Sequence, residues 1–286
     1  MFGKIKSLFE KEKQGKTNNS DAIKLEENSL QGIKRLEMLV GLEEFKALVN
    51  QARDRSSFKN EPGHYVFIGD PGTGKTMAAN LMGEIFKEAG ILSKGHVVQV
   101  TKADLSGKYI GESSIKTKEL CEKAIGGILF VEEAYQLDDG DEGFMTNEVI
   151  DSILLFMEEH NDDTCVILSG YDAPMEKFIY KNVSLASRCS QTIHFPEFNI
   201  DELVQILKNM MEEKSLKADS KFFEAIREHI VREKSSTEYW GNAYTIRTIF
   251  DRLQINQSTR LAESFSKGET ISDEDKMTIV VEDVHF

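Results

Sequence analysis

Three observations predict an α/β fold: a mostly parallel five-stranded sheet with helices on both faces, followed by a small helical domain. Five short apolar runs alternate with helical stretches between Leu36 and Pro196. A glycine-rich turn follows the first run directly, where a strand passes into a helix. Beyond Pro196 the strand signal fades and helical spacing takes over. Strand–helix alternation argues a parallel sheet, because returning the chain to the same edge takes a crossover helix.

At the amino terminus, Phe2, Ile5, Leu8 and Phe9 fall on one helical face, with Lys4, Lys6, Lys11 and Lys13 elsewhere. The lysines interrupt the apolar positions, so this is not a signal peptide. The amphipathic face predicts a segment that meets a membrane surface or a partner, or packs on its own protein. Residues from Glu10 to Asn28 read as a polar linker, which makes 1–28 an appendage.

A sheet domain is predicted over 29–196. Its strands are expected at Tyr65–Ile68, Val97–Thr101, Ile128–Val131, Cys165–Leu168 and Thr192–Phe195, with helices near Thr76–Ala89, Ser114–Ala124, Met145–Glu159 and Ala173–Tyr180. Runs such as Ile128-Leu129-Phe130-Val131 suit strands covered on both faces. A helical domain is predicted over 197–286. Leu203, Ile206, Leu207 and Met210 share a helical face within Asp201–Lys214, and Phe222–Val231 and Tyr244–Leu261 repeat the pattern. A short strand or tail is expected at Thr278–Val281.

Hydrophobic residues make up 40% and charged residues 29%, a soluble globular profile. The formal charge of −14 disfavours nucleic acid as the main partner, since phosphate contacts supply most of that affinity. Cys121, Cys165 and Cys189 form no CxxC pair and fit a reducing, cytoplasmic setting. The histidines are scattered without HExxH, which points away from a catalytic metal held by protein ligands alone. The acidic run from Asp138 to Glu142 lacks the ligand alternation of a calcium loop and reads as solvated. No apolar run approaches the length of a membrane span.

Gly69-Asp70-Pro71-Gly72-Thr73-Gly74-Lys75-Thr76 satisfies every position of GxxxxGK[ST], directly after His64-Tyr65-Val66-Phe67-Ile68. Phosphates are bulky and multiply charged. They need several backbone N–H groups aimed at one point, and glycines permit the close approach. The positive end of the following helix adds to this; Lys75 is suited to the β/γ oxygens and the Thr76 hydroxyl to Mg²⁺. The stretch therefore predicts binding of a nucleoside triphosphate. After the third strand the chain reads Val131-Glu132-Glu133-Ala134. In that position one carboxylate orients hydrated Mg²⁺ and the next polarises the attacking water.

These motifs resemble those of the AAA+ ATPases, and within that class the CbxX/CfqX branch, which includes red-type Rubisco activases and a stage V sporulation ATPase. The resemblance runs from about Leu36 to Leu261. Leu39-Val40-Gly41-Leu42 is similar to the segment beside the adenine, so Val40 and Gly41 join Asp70 to Thr76 and Met77 as expected ATP contacts. Lys108-Tyr109-Ile110-Gly111-Glu112 resembles the aromatic pore loop. Ser184-Leu185-Ala186-Ser187-Arg188 resembles the stretch bearing an arginine finger. Gly241 to Arg247 resembles the second-sensor helix of the lid, with Arg247 at the sensing position. Ser169 and Tyr171 both close the fourth strand, where the first sensor belongs, and the sequence does not choose between them.

The resemblance implies a ring, a hexamer in this class, with ATP and Mg²⁺ at subunit boundaries, Glu133 activating water and Arg188 reaching a neighbour's γ-phosphate. It also implies a protein client gripped by Tyr109 and Ile110. Two departures stand out. Glu132 replaces the usual Asp, which moves the Mg²⁺-orienting carboxylate by roughly 1.5 Å and predicts slow turnover. Tyr244 stands where the branch tends to carry Arg. Weak hydrolysis would make the chain a nucleotide-dependent binding module instead.

Overall fold

The computed structural model describes residues 31–55, 61–107, 109, 111–138, 144–237 and 240–285. Helices α1 (Gln31–Met38) and α2 (Glu43–Arg55) precede β1 (Tyr65–Gly69), and α3 (Lys75–Glu88) leads to β2 (Val97–Val100). Next come the short α4 (Lys102–Leu105), α5 (Glu112–Ala124), β3 (Ile128–Val131) and a 3₁₀ turn, Ala134–Leu137. They are followed by α6 (Phe144–Glu159), β4 (Cys165–Gly170), α7 (Asp172–Lys181), α8 (Val183–Arg188) and β5 (Gln191–Phe195). The helical part holds α9 (Ile200–Glu213), α10 (Ser220–Ser236), α11 (Ala243–Ser266), α12 (Asp273–Lys276) and a last 3₁₀ turn, Val281–Asp283.

The strands form one parallel sheet in the order β2-β3-β4-β1-β5. β1 is thus interior. Its Ile68 lies opposite Gly170 of β4, and its Gly69 opposite Phe195 of β5. Three strand ends finish level, and the glycine-rich turn leaves from the middle one. A ligand in such a sheet sits outside these carboxyl ends.

Alternation along β1 sends Phe67 to one face and Val66 and Ile68 to the other. On the first face Phe67 and Phe195 pack with ring centroids 4.9 Å apart, and Phe45 of α2 closes the group. The same apolar cluster continues through Leu203, Leu207, Phe222 and Ile246 of the C-terminal helices. Burial of one shared core therefore seats the helical part beside the strand ends. The opposite face is covered by Ile153 and Met157 of α6, Cys121 of α5 and Phe178 of α7.

Local signals set the helix starts. Asn199 caps α9 by accepting from Glu202 N at 3.0 Å, while the Glu202 carboxylate accepts from Asn199 N at 2.8 Å. Asp219 caps α10 through Phe222 N at 2.9 Å.

The strand expected at Thr278–Val281 reduces to a single bridge, Lys217 to Thr278. Asp283 explains this: its carboxylate accepts from Val280 N at 3.0 Å and curls the chain into the last 3₁₀ turn. Helices α4 and α8 were not legible, being too short to show a period. Among the described residues no helix is long and apolar enough to cross a membrane. The amphipathic segment and linker of 1–28 lie outside the described residues, as do Ile110 and 139–142 of the acidic run.

Candidate active site

The phosphate loop leaves β1 at Gly69 and enters α3 at Lys75, through Gly72 and Gly74 with φ of 71° and 99°. These left-handed values suit glycine, and they turn successive N–H groups toward one concavity. The Thr73 hydroxyl donates to Asp70 O at 2.8 Å and is buried, fixing the loop from within. Lys75 Nζ donates to Gly69 O at 2.6 Å and to Asp70 O at 2.8 Å, so the ammonium lies over the loop. Met77, in the first turn of α3, is exposed and sits near Gly74.

The carboxylates of the β3 end converge on this loop. Glu132 Oε1 accepts from Thr76 Oγ1 at 3.1 Å. The extra methylene of Glu132 thus brings its carboxylate to the hydroxyl rather than past it. A hydroxyl and a carboxylate oxygen side by side are hard donors of the kind Mg²⁺ takes, and that ion keeps several waters besides. Glu133 adopts a left-handed conformation, φ 50° and ψ 46°, at the start of the 3₁₀ turn. A non-glycine residue held there stores strain of about 1–3 kcal/mol. Its Oε2 is buried without a hydrogen-bond partner among the described residues. A buried acceptor left open in this way is suited to a water molecule.

Burial pushes the Lys75 ammonium below its ordinary range, and the charges of Glu133, Asp70, Asp172 and Glu132 pull it back up. Four carboxylates therefore act on one lysine through their charge, a balance that a bound triphosphate would alter. The Tyr171 ring lies 5.9 Å from Lys75 Nζ, and Tyr135 packs against Tyr171 with centroids 5.9 Å apart. Burial first, then Glu133, raises both phenols, Tyr135 to about 12. Ser169 is buried within β4 opposite Phe67. Of the two residues the sequence left open, Tyr171 is the one beside Lys75.

The Val40–Gly41 segment, expected beside the adenine, and the helical part both pack close to this loop. Gly41 has φ 63°, and a methyl group there would stand 2.9 Å from Glu202 Oε1 and 3.6 Å from the Phe198 ring. Val40 and Gly41 thus lie at the seam between α1, α2 and the lid. Ala243 N donates to Gly72 O at 3.1 Å, and Asn242 Nδ2 donates to Pro71 O at 3.1 Å. Asn242 is fully buried, and its Oδ1 accepts from Phe198 N at 3.3 Å. Arg247 is exposed on α11, one turn beyond Ala243 and on the same helical face.

Arg188 is elsewhere. It ends α8, where its NH1 donates to Ser184 O at 3.0 Å and its NH2 pairs with Glu158. The next residues lead into the start of β5, with Ser190 N donating to His64 O at 2.7 Å. Arg188 therefore stands at the amino-terminal edge of the sheet, opposite the phosphate loop. Sequence reasoning missed Asp172, Asn242 and Tyr135. Asp172 follows the β4 end directly, a position that could have been read as facing the site; Asn242 and Tyr135 carried no local signal.

The family profile of ATPases associated with various cellular activities (AAA) matches residues 65–197, and that of the AAA lid domain matches residues 199–286. The chain belongs to the AAA ATPase family and is an ATP-hydrolysing enzyme of that family. Its relatives place it in one group. It is 38% identical over 225 residues to the protein CfxQ homolog of Trieres chinensis, covering 78% of this chain and 76% of that one. It is 34% identical over 264 residues to stage V sporulation protein K of Bacillus subtilis (88% and 81% covered). Over 261 residues it is 34% identical to the chromosomal protein CbxX of Cupriavidus necator (86% and 80%). Among solved structures, the FIGL-1 AAA domain superimposes with a TM-score of 0.56 at 19% identity, covering 86% of this chain and 79% of that one. A Thermotoga maritima RuvB mutant gives 0.55 at 14% identity (84% and 74%). Those identities are low, so the two structures speak for the fold alone.

Proposed function

We propose that this ATPase is a remodelling motor: copies assemble into a ring, six by the family resemblance, hydrolyse ATP at their boundaries and act on a protein client. One observation supports the shared site above all. Arg188 and the phosphate loop lie at opposite edges of the sheet. The strand between them, Tyr65–Gly69, spans about 16 Å at about 3.3 Å per residue. An arginine so placed serves a triphosphate only if a second copy carries it there.

In that site the N–H groups from Gly72 to Thr76 and the Lys75 ammonium hold the β and γ phosphates. Thr76 and Glu132 would hold Mg²⁺, which when bound neutralises charge on the phosphate oxygens. Glu133 takes a proton from water as the water oxygen attacks the γ-phosphorus. The bond to the β–γ bridging oxygen breaks, releasing ADP and inorganic phosphate. Arg188 of the neighbouring copy stabilises the charge of the transition state, a role worth roughly 10³–10⁵ in rate. Arg247 senses the same phosphate from the lid, whose angle is tied to the loop through Asn242 and Ala243. The contact between Glu132 and Thr76 speaks against a module with crippled hydrolysis.

Tyr109 is 75% exposed, between Gly107 and Gly111, so its ring does not anchor its own loop. Such a ring is suited to grip an extended polypeptide without reading its sequence. The net charge of −14 disfavours a nucleic-acid client. The test uses casein as an unfolded probe. Tyr109→Ala should bind ATP as the parent does yet lose casein-stimulated phosphate release and casein capture by a Glu133→Gln background. Undiminished stimulation in Tyr109→Ala would remove the pore-loop role.

A further inference from the structure

We infer that Glu158 is the positioning residue for Arg188, fixing its guanidinium on its own subunit before a neighbour's triphosphate arrives. The inference rests on the proposal that Arg188 acts in trans. Arg188 has five N–H donors. One is taken by Ser184 O at 3.0 Å, one turn back on its own helix, where the Ser187 hydroxyl also donates. Another is taken by Glu158, which reaches across from the last turn of α6. No acceptor for the remaining three exists among the described residues. The guanidinium is thus held by two anchors from two helices and keeps donors to spare. The Arg188 side chain is 29% exposed and that of Glu158 55%, so the pair stands at the surface where a second copy could reach it.

Two opposite consequences compete. The Glu158 charge draws the guanidinium away from an incoming phosphate, and the Glu158 contact also fixes its direction. The first effect is small, because an exposed ion pair is weak and screened, whereas a triphosphate carries several charges. The second effect is also bounded by the strength of the pair, but it acts on the fraction of guanidinium groups already aimed across the boundary, and small misplacements are costly in catalysis. Positioning therefore wins, and removing Glu158 should slow the enzyme rather than release it.

The experiment measures phosphate release by the full chain at saturating magnesium-ATP. Glu158→Ala should lower kcat about 2- to 5-fold with little change in KM. Glu158→Gln keeps an acceptor oxygen and should retain most of the activity. Mixed with Glu133→Gln subunits, whose Arg188–Glu158 pair is intact, Glu158→Ala should recover part of its rate, because its own nucleotide site is sound. A folding or assembly defect would show no such rescue. Activity of Glu158→Ala at or above the parent, or a loss without rescue, overturns the inference. If Arg188→Ala itself matches the parent, the shared-site proposal falls first; if Arg188→Ala is inactive while Glu158→Ala is fully active, only the role of Glu158 falls.

Discussion

Shortening Glu132 to aspartate removes one methylene between the backbone and the carboxylate that meets Thr76. The contact is 3.1 Å in the parent. Taking out one C–C bond withdraws the oxygen by roughly 1.5 Å, to about 4.6 Å, beyond hydrogen-bond range. Two independent scales set the cost. A hydrogen bond to a charged group contributes about 1.5–3 kcal/mol, and a misplacement of about 1 Å in a catalytic array costs on the order of a hundredfold, or about 2.7 kcal/mol. They agree. Glu132→Asp should lower kcat by about 10- to 100-fold and raise the magnesium concentration needed for half-maximal rate. A fluorescent ATP analogue without added magnesium should bind both proteins alike. The assay is steady-state phosphate release across a magnesium titration, with Glu132→Gln as a control of equal length and no charge. A Glu132→Asp enzyme as fast as the parent or faster would refute the reasoning, showing that the longer side chain is a handicap and that the Thr76 contact does not set the carboxylate.

Three further outcomes are expected. Gly72→Ala places a methyl 2.0 Å from Gly241 O at a φ of 71°, so the lid must move off the loop; with about 1–2 kcal/mol for the left-handed conformation and about 1 for the lost bond from Ala243, equilibrium titration should find ATP binding weaker by roughly 30- to 150-fold. Burial pushes His64 from 6.5 down to about 4, so the unfolded chain takes up its proton first as pH falls. The stability His64 contributes is complete above about pH 6.5 and is lost on descent toward about pH 4; urea melts should show about 2 kcal/mol less stability at about pH 5, and His64→Asn should flatten that slope. Arg260 donates to the buried Asp283 through Nε at 2.9 Å and NH2 at 3.1 Å. Arg260→Ala should cost about 3–5 kcal/mol by removing the charge partner of that buried carboxylate and leaving it only the Val280 N–H, measured by thermal melting, with Asp283→Leu recovering part of the loss.

Much of the architecture was legible because its signals are local. The apolar runs at Ile128–Val131 and Cys165–Leu168 announce buried strands, and a single eight-residue stretch announces the phosphate loop. What escaped depends on distance in space. Asn242 reaches Pro71 across 171 positions, and no period or motif spacing could reveal that bond. Nor could the sequence tell that Glu132 meets Thr76, because that bond joins residues 56 positions apart. Tyr171 and Ser169 are two residues apart, so their strand-end position was equally plain, and only the ring's approach to Lys75 separates them. The pairing of Arg188 with Glu158 joins two helices, one of them a six-residue turn that shows no period.

The most direct test of the account is phosphate release from mixtures of Arg188→Ala and Glu133→Gln chains. Each alone should be inactive. Together they should regain activity with a maximum near equal amounts, since about a quarter of the boundaries in a random ring would join a sound Glu133 to a sound Arg188. A mixture no more active than its parents at every ratio, with assembly intact, would contradict a site built from two copies.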